Sequence, residues 1–319
     1  MKILNLKVLQ ENQERSLQSL GIEVVTKTIA QNQIVNYCAN HDFDGLLVDA
    51  NYKITTTLLD QLNSLKFIIV VGKSLAHIPF EYAKKLGIQI YTTEQAYIQT
   101  EAELIIAHSL SCLRNLKDCN REMPLEGDIR FNQMHKLFSQ GNTLWGQTWG
   151  FLGFDAVAER VAQLLQNWGV KFMVAEQGKS SILNKTQRRN KEFTIEFETC
   201  SEETLCRKAD VISVHKYDID DYLINASNLN LMKKTAGIIN THHPKAIDEV
   251  ALVDALNDDT IGFAALDVFE NQPKPEIQVL MQPKISLSPN LASHSKQADY
   301  LASKMATQQI INIFEDLKK

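Results

Sequence analysis

No run of about 18 apolar residues occurs in the 319-residue sequence, which excludes an ordinary membrane-spanning helix. CxxC, CxxxxC and HxxxH spacings are also missing, so neither a zinc cluster nor a dithiol redox motif is expected. The five cysteines, Cys38, Cys112, Cys119, Cys200 and Cys206, are odd in number and scattered, which suits reduced thiols better than a disulfide framework. Neither sign of charge dominates: 33 basic and 38 acidic residues leave a formal net charge of -5, which favours solubility and gives no sign of a nucleic-acid partner. Repeats and low-complexity tracts are absent. The first ten residues, MKILNLKVLQ, lack the apolar centre of a signal peptide, and the expected location is the cytoplasm.

What is present is a long alternation of two periodicities. A chain of this length exceeds one comfortable hydrophobic core, so two domains are expected. Short β-branched runs at Ile3 to Val8, Ile22 to Val25, Gly45 to Val48, Phe67 to Val71 and Ile88 to Tyr91 read as strands separated by helices. A helical stretch from Thr100 leads to a second series at Trp149 to Leu152, Phe172 to Val174, Val211 to Val214, Gly237 to Ile239, Phe263 to Leu266 and Ile285 to Leu287. Strands without polar alternation, joined through helices, predict an α/β fold with two doubly wound parallel sheets. The last helix, from about Lys296, carries Leu301, Met305, Ile310, Ile313, Phe314 and Leu317 on roughly one side and must cover something earlier in the chain. The basic run KTQRRNK, Lys185 to Lys191, reads as a solvated loop.

The second series begins as a dinucleotide-binding unit does, with a strand, a glycine turn, a helix, and an acid at the end of the next strand. The turn reads Gly153-Phe154-Asp155-Ala156-Val157-Ala158, and Glu176 follows Gly153 by 23 positions. Only the first glycine of GxGxxG is kept. Asp155 stands where the second glycine would let the backbone approach a pyrophosphate, and its carboxylate can accept the free N–H groups that a phosphate would use. Capping is an equally good reading of the same residue. Ala158 replaces the third glycine and still permits close packing. Glu176 would accept a ribose hydroxyl and repel a 2′-phosphate, so NAD is favoured over NADP as any retained cofactor, its binding weakened by Asp155; absence of a cofactor is the other reading.

The stretches LKFIIVVGKSLAHI, LGIQIYTTEQAYIQTEAELIIAHSLSCLRNL, GNTLWGQTWGFLGF, LINASNLNLMKKTAGIINTHHPKAIDEVALVDALNDDTIGFAALDVFENQP and ISLSPNLAS resemble, in order, the D-isomer-specific 2-hydroxyacid dehydrogenases. The likeness runs over nearly the whole chain from about Leu65. It implies a Rossmann-like coenzyme domain, residues 99–291, inserted in a flavodoxin-like substrate-side domain made of residues 1–98 and 292–319. That arrangement would place the final helix on the first domain. The resemblance further implies a homodimer formed through the coenzyme domain, a small-molecule ligand in the interdomain cleft, His215 beside the cofactor as in the family's SLHVPLT, and Asp267 of the LDVF motif at the cofactor.

Family members exchange a hydride between NAD and C2 of a 2-oxo or 2-hydroxy acid with an Arg that clamps the substrate carboxylate, a His that carries the proton, and a Glu that tunes the His. In INTHHPKAIDE, which resembles INTARGxxVDE, the arginine position is His243 and the next glycine is Pro244. In ALDVFENQP the glutamate position is Gln272, and in LSPNLAS the histidine position is Asn290. Neither amide titrates near neutral pH. Around the first domain's substrate loop Ser74, Ala76 and His77 depart from the family pattern, as do Glu94, Glu101 and Tyr217 elsewhere, while Glu103 is kept. Three readings remain open. The chain is a pseudoenzyme that keeps the fold as a binding or assembly module; or it is an oxidoreductase with a remodelled site in which His243, with or without His242, transfers the proton; or it has taken up chemistry that needs no hydride. His294, four residues after Asn290, reads as a solvated or capping residue of the last helix.

Overall fold

The computed structural model describes residues 1–49, 52–72, 78–175, 184–189, 194–215 and 221–318. The chain divides into two compact units, one of residues 1–98 and 294–319, the other of 99–293. The division at the carboxyl end lies two residues beyond the one read from the sequence.

In the first unit five strands, β1 (Lys2–Asn5), β2 (Glu23–Thr26), β3 (Gly45–Val48), β4 (Phe67–Val70) and β5 (Gln89–Thr92), form one parallel sheet in the order β2-β1-β3-β4-β5. This is the flavodoxin-like order. Alternation along the strands explains the coverage. Leu4, Leu46, Val48, Ile68 and Val70 point to one face, where they join Ile34 and Cys38 of α2 (Ile34–Ala39), Leu58 and Leu59 of α3 (Thr56–Gln61) and Ala83 of α4 (Phe80–Lys85). Ile3, Leu47, Phe67 and Ile69 point to the other face, against Leu17 of α1 (Glu11–Ser19) and Ala306 and Ile310 of the chain's last helix, α12 (Lys296–Asp316). Ile310, Ile313 and Phe314 of that helix thus pack within the first unit, while Leu317 is exposed.

The second unit opens with two long helices, α5 (Ile98–Leu113) and α6 (Leu116–Phe138). The sequence reading did not separate α6, whose interior holds Pro124 and a non-helical residue at Arg130. The sheet follows: β6 (Thr148–Leu152), β7 (Lys171–Ala175), β8 (Asn184–Arg189), β9 (Thr194–Cys200), β10 (Val211–Val214), β11 (Gly237–Asn240), β12 (Phe263–Leu266) and β13 (Ile285–Leu287), in the order β13-β12-β11-β10-β6-β7-β9-β8. All neighbours are parallel except β8 and β9. The helices α7 (Ala156–Leu165), α8 (Glu202–Lys208), α9 (Ala226–Leu229), α10 (Glu249–Asn257) and α11 (Ile277–Leu280) connect the strands. One core gathers Leu152, Met173, Cys200, Leu205, Ile212, Ile238, Leu252, Ala264 and Ile285 on one side of the sheet. On the other side Trp149 is fully buried and its indole N–H donates to Ser213 Oγ at 2.9 Å.

The basic run corrects the loop expectation. Asn184–Arg189 is the antiparallel edge strand β8, with Lys185 opposite Glu198 and Gln187 opposite Glu196. The strand is set by its pairing with β9, a partner that local composition alone does not reveal. Asn190 and Lys191 lie outside the described residues.

Candidate functional site at the carboxyl edge of the second sheet

Open α/β sheets bind ligands where the strands end and the strand order reverses. In the second unit that place is the carboxyl edge of β6, β10, β11 and β12, and it collects most of the residues singled out from the sequence. Gly153 leaves β6 with φ of 83°, a backbone setting that glycine adopts without strain. Phe154 is half-buried, edge-on to Phe151 at 5.3 Å and stacked on Phe197 at 5.3 Å.

Asp155 is the N-cap of α7. Its backbone is extended, and its carboxylate accepts from the N–H of the fully buried Ala158 at 2.8 Å. Oδ1 also lies 3.1 Å from Nδ1 of His215, whose side chain is wholly buried. Burial opposes ionisation of Asp155, but the His215 hydrogen bond and charge, the Ala158 N–H and the charge of His242 outweigh it and hold the carboxyl well below the usual carboxylate range. A depressed value means that the stabilising charge is present above the ordinary carboxylate pKa and is lost only as pH falls through the much lower folded value. The cap is therefore in place throughout the neutral range.

His215 follows β10. Its other nitrogen, Nε2, is 2.9 Å from Ser213 Oγ, and its ring lies 5.7 Å from that of Phe151 and 6.1 Å from that of His242. His242 and His243 follow β11, and both backbone N–H groups donate to Asn240 Oδ1, at 3.1 and 3.2 Å, which fixes this turn. The Nδ1 of His242 is 3.6 Å from Oε1 of Glu101 on α5, with both side chains buried, and Thr241 Oγ1 donates to the same carboxylate at 3.3 Å. His243 is half-buried. Its Nδ1 accepts from the Lys245 N–H at 3.2 Å, so its tautomer carries the proton on Nε2, and burial followed by the Lys245 charge lowers its pKa.

The remaining positions are held by their own turns. Gln272 is exposed and its Oε1 accepts from the Phe269 N–H at 3.4 Å. Asn290 is exposed with φ of 56°, a left-handed setting that Asn tolerates. Asp267, fully buried at the end of β12, accepts from the N–H groups of Leu291 at 2.7 Å and Ala292 at 2.8 Å and from the Ser288 hydroxyl. Its carboxylate is thereby an anchor for the turn that carries Asn290. His294 is exposed, and Ser295 supplies the cap of α12. Glu176, Ser74, Ala76, His77 and Tyr217 lie outside the described residues.

The matching family model is that of the D-isomer-specific 2-hydroxyacid dehydrogenase NAD-binding domain, over residues 106–292. The chain belongs to the D-isomer-specific 2-hydroxyacid dehydrogenase family. Among curated members it is 30% identical over 281 residues to a glyoxylate reductase of Thermofilum pendens, covering 86% of this chain and 79% of that one. It is 25% identical over 303 residues to the D-3-phosphoglycerate dehydrogenase of Bacillus subtilis, covering 94% of this chain and 54% of that protein, so it spans about half of the longer relative. The structure of Rhodotorula graminis D-mandelate dehydrogenase shares the fold, with a TM-score of 0.82 at 18% identity over 97% of this chain and 92% of that one.

Within this family member, two features escaped the sequence reading. Glu101 was noted as a departure but not as the partner of His242, although an acid on the apolar face of TEAELIIAHSL already called for one. The second is His108, buried between Ser286 Oγ and Ser288 Oγ at 2.8 Å each. Ser288 gives its proton to Asp267, so it accepts from Nε2–H of His108, and Ser286 donates to Nδ1. Burial, against a smaller pull from Asp267, lowers the pKa of His108 in keeping with that neutral form. Among the described residues no group of three or more His, Cys, Asp or Glu could hold a metal ion, and no helix is long and apolar enough to cross a membrane.

The family's dinucleotide does not fit the turn as it stands. A pyrophosphate needs the N–H groups at the start of α7, and the Ala158 N–H is taken by a carboxylate that His215 holds ionised. A second anion placed there would face Asp155 across a partly dry surface.

Proposed function

We propose that this family member does not run ordinary 2-oxo acid reduction and that its second unit serves as a binding or assembly module. The observation that carries this reading is the carboxylate of Asp155 seated on the amino end of α7. Gln272 and Asn290, which do not titrate, support it. A positioned acid or base is worth roughly 10²–10⁴-fold in rate, and its loss leaves little turnover. The test is a thermal-shift and fluorescence titration with NADH, together with turnover of glyoxylate and hydroxypyruvate, the compounds named for its relatives. The wild type is expected to show no shift at millimolar NADH, whereas Asp155→Gly restores a measurable one; stabilisation of about 2.7 kcal/mol at 100 times Kd is the scale to look for. Wild-type turnover at rates usual for reductases would overturn the reading.

One observation favours a second reading. The half-buried His243 is fixed as the Nε2–H tautomer, a form suited to donating to a substrate oxygen. If NADH-dependent turnover is found, His243→Gln should abolish most of it; an unchanged rate excludes this residue as the proton carrier.

We further propose a cytoplasmic homodimer joined through the second unit. On α6, Leu125, Ile129 and Leu137 are 71%, 82% and 66% exposed, an apolar surface of the kind that marks an interaction site. Ile129→Glu is expected to convert a dimer to a monomer in light scattering; a wild-type monomer would refute the assignment. The five cysteines are free, and burial pushes the thiols of Cys38 and Cys200 up to about 11 and those of Cys112 and Cys206 up to about 12, as suits inert thiols in a reducing compartment.

A further inference from the structure

Four side chains from four separate elements converge beneath the glycine turn. Asp155 heads α7, His215 follows β10, His242 follows β11 and Glu101 lies in the first turn of α5. The steps between them are 3.1 Å from Asp155 Oδ1 to His215 Nδ1, 6.1 Å between the two imidazole centres, and 3.6 Å from His242 Nδ1 to Glu101 Oε1. Side-chain exposures are 18%, 0%, 1% and 0% in the same order, so the line runs from a partly wet end to a dry one. Asp155 and Glu101 are both departures from the family pattern, 54 positions apart, and His242 stands where the pattern has alanine. Three changes that meet on one retained histidine compose a single arrangement of acid, imidazole, imidazole, acid.

We propose that Asp155, His215, His242 and Glu101 form one electrostatically coupled line, a pH-responsive device whose protonation state sets the charge beneath the amino end of α7.

Burial and spacing favour such coupling. Two carboxylates this buried are costly unless compensated, and each has an imidazole within 3.6 Å that can contribute. The imidazoles in turn repel one another when both are charged, so a proton on one alters the affinity of the other. His215 is built to change charge without moving. Ser213 Oγ accepts from the Trp149 indole and still has one lone pair and one proton, so it can donate to a neutral His215 Nε2 or accept from a charged one. The charge of His242 also acts on Asp155 across His215.

Among the described residues, several charged groups on the same elements bond elsewhere. Glu103 on α5 accepts from Gln99; Arg160 on α7 donates to Gln99 at 2.5 Å and to Gln163 at 2.8 Å. Lys245 acts on His243, and Asp267 holds the turn at 288–292. Glu159, in the first turn of α7, is half-buried and adds a further negative charge near the wet end.

The device concerns the unliganded chain and stands whether or not hydride transfer is retained. The experiment is a histidine ring NMR titration of the full-length protein between pH 4.5 and 9.5, with signals assigned by substitution. Removing a carboxylate should lower imidazole midpoints, and removing an imidazole should raise the other's. Asp155→Asn is therefore expected to lower the midpoint of His215 and to shift that of His242, which it does not touch. Glu101→Gln should lower His242 by about one pH unit and shift His215 by less, while His242→Phe should raise His215. Independent pairs would respond only at the contacting histidine, and that result overturns the proposal, as does a His215 that keeps one protonation state across the range. Asp155 is partly exposed, so its variant keeps the test decisive if a substitution at the dry end fails to fold.

Discussion

Asp267→Ala is expected to lower the unfolding free energy by about 3–5 kcal/mol, because three donors that now bond one buried carboxylate lose their acceptor together. Charge-assisted hydrogen bonds contribute about 1.5–3 kcal/mol each, and burial denies the Ala292 N–H ready access to water. The damage should spread along β13, since Ser288 also accepts from His108 and Ser286 donates to the same ring. Asp267→Asn keeps an acceptor of the same shape and should cost clearly less. Urea denaturation of both variants measures the difference; equal, small losses would show that Asp267 is not the anchor of the turn that carries Asn290.

Restoring the family's residues should have the largest effect on activity. Placing Gly at 155, Arg at 243, Glu at 272 and His at 290 together is expected to raise NADH-dependent reduction of glyoxylate by at least 10²-fold over wild type, the lower bound for one positioned acid or base. Each site can take its residue. A left-handed backbone at 290 admits His as well as Asn, Glu at 272 can still accept from the Phe269 N–H, and Arg at 243 forfeits only the acceptor for the Lys245 N–H, a loss of about 1 kcal/mol. Substitution at 243, 272 and 290 without the change at 155 should gain far less, because the carboxylate still guards the start of α7. Steady-state kinetics on the two combinations separates the effects, and equal rates would show that Asp155 does not impede the nucleotide.

Most of the framework was legible because both sheets are buried on two faces and their strands read as continuous apolar runs: β3, β10, β12 and β13 fall where the residues predict them. The errors fall where structure is set by partners distant in sequence. The strand β8 is polar and draws its order from β9 beside it, and the long helix α6 holds a proline that masks its continuity. The same division applies to the site. Asp155 as a cap follows from its place before Ala156-Val157-Ala158, whereas the pairing of Glu101 with His242 spans 141 residues and emerges only when α5 is set against the end of β11. Resemblance located His243, Gln272 and Asn290 but left their surroundings blank: that Gln272 is bonded within its own turn, and that Asp267 holds the turn of Asn290, are facts of geometry.

The position of α12 has a consequence for biosynthesis. The second unit is continuous in sequence and can complete its core before α12 has been synthesised, but the first unit cannot. Until Ala306 and Ile310 emerge, one face of its sheet, with Ile3, Leu47, Phe67 and Ile69, lacks its final covering helix. The amino-terminal unit, translated first, therefore completes its core only after the second unit has been made.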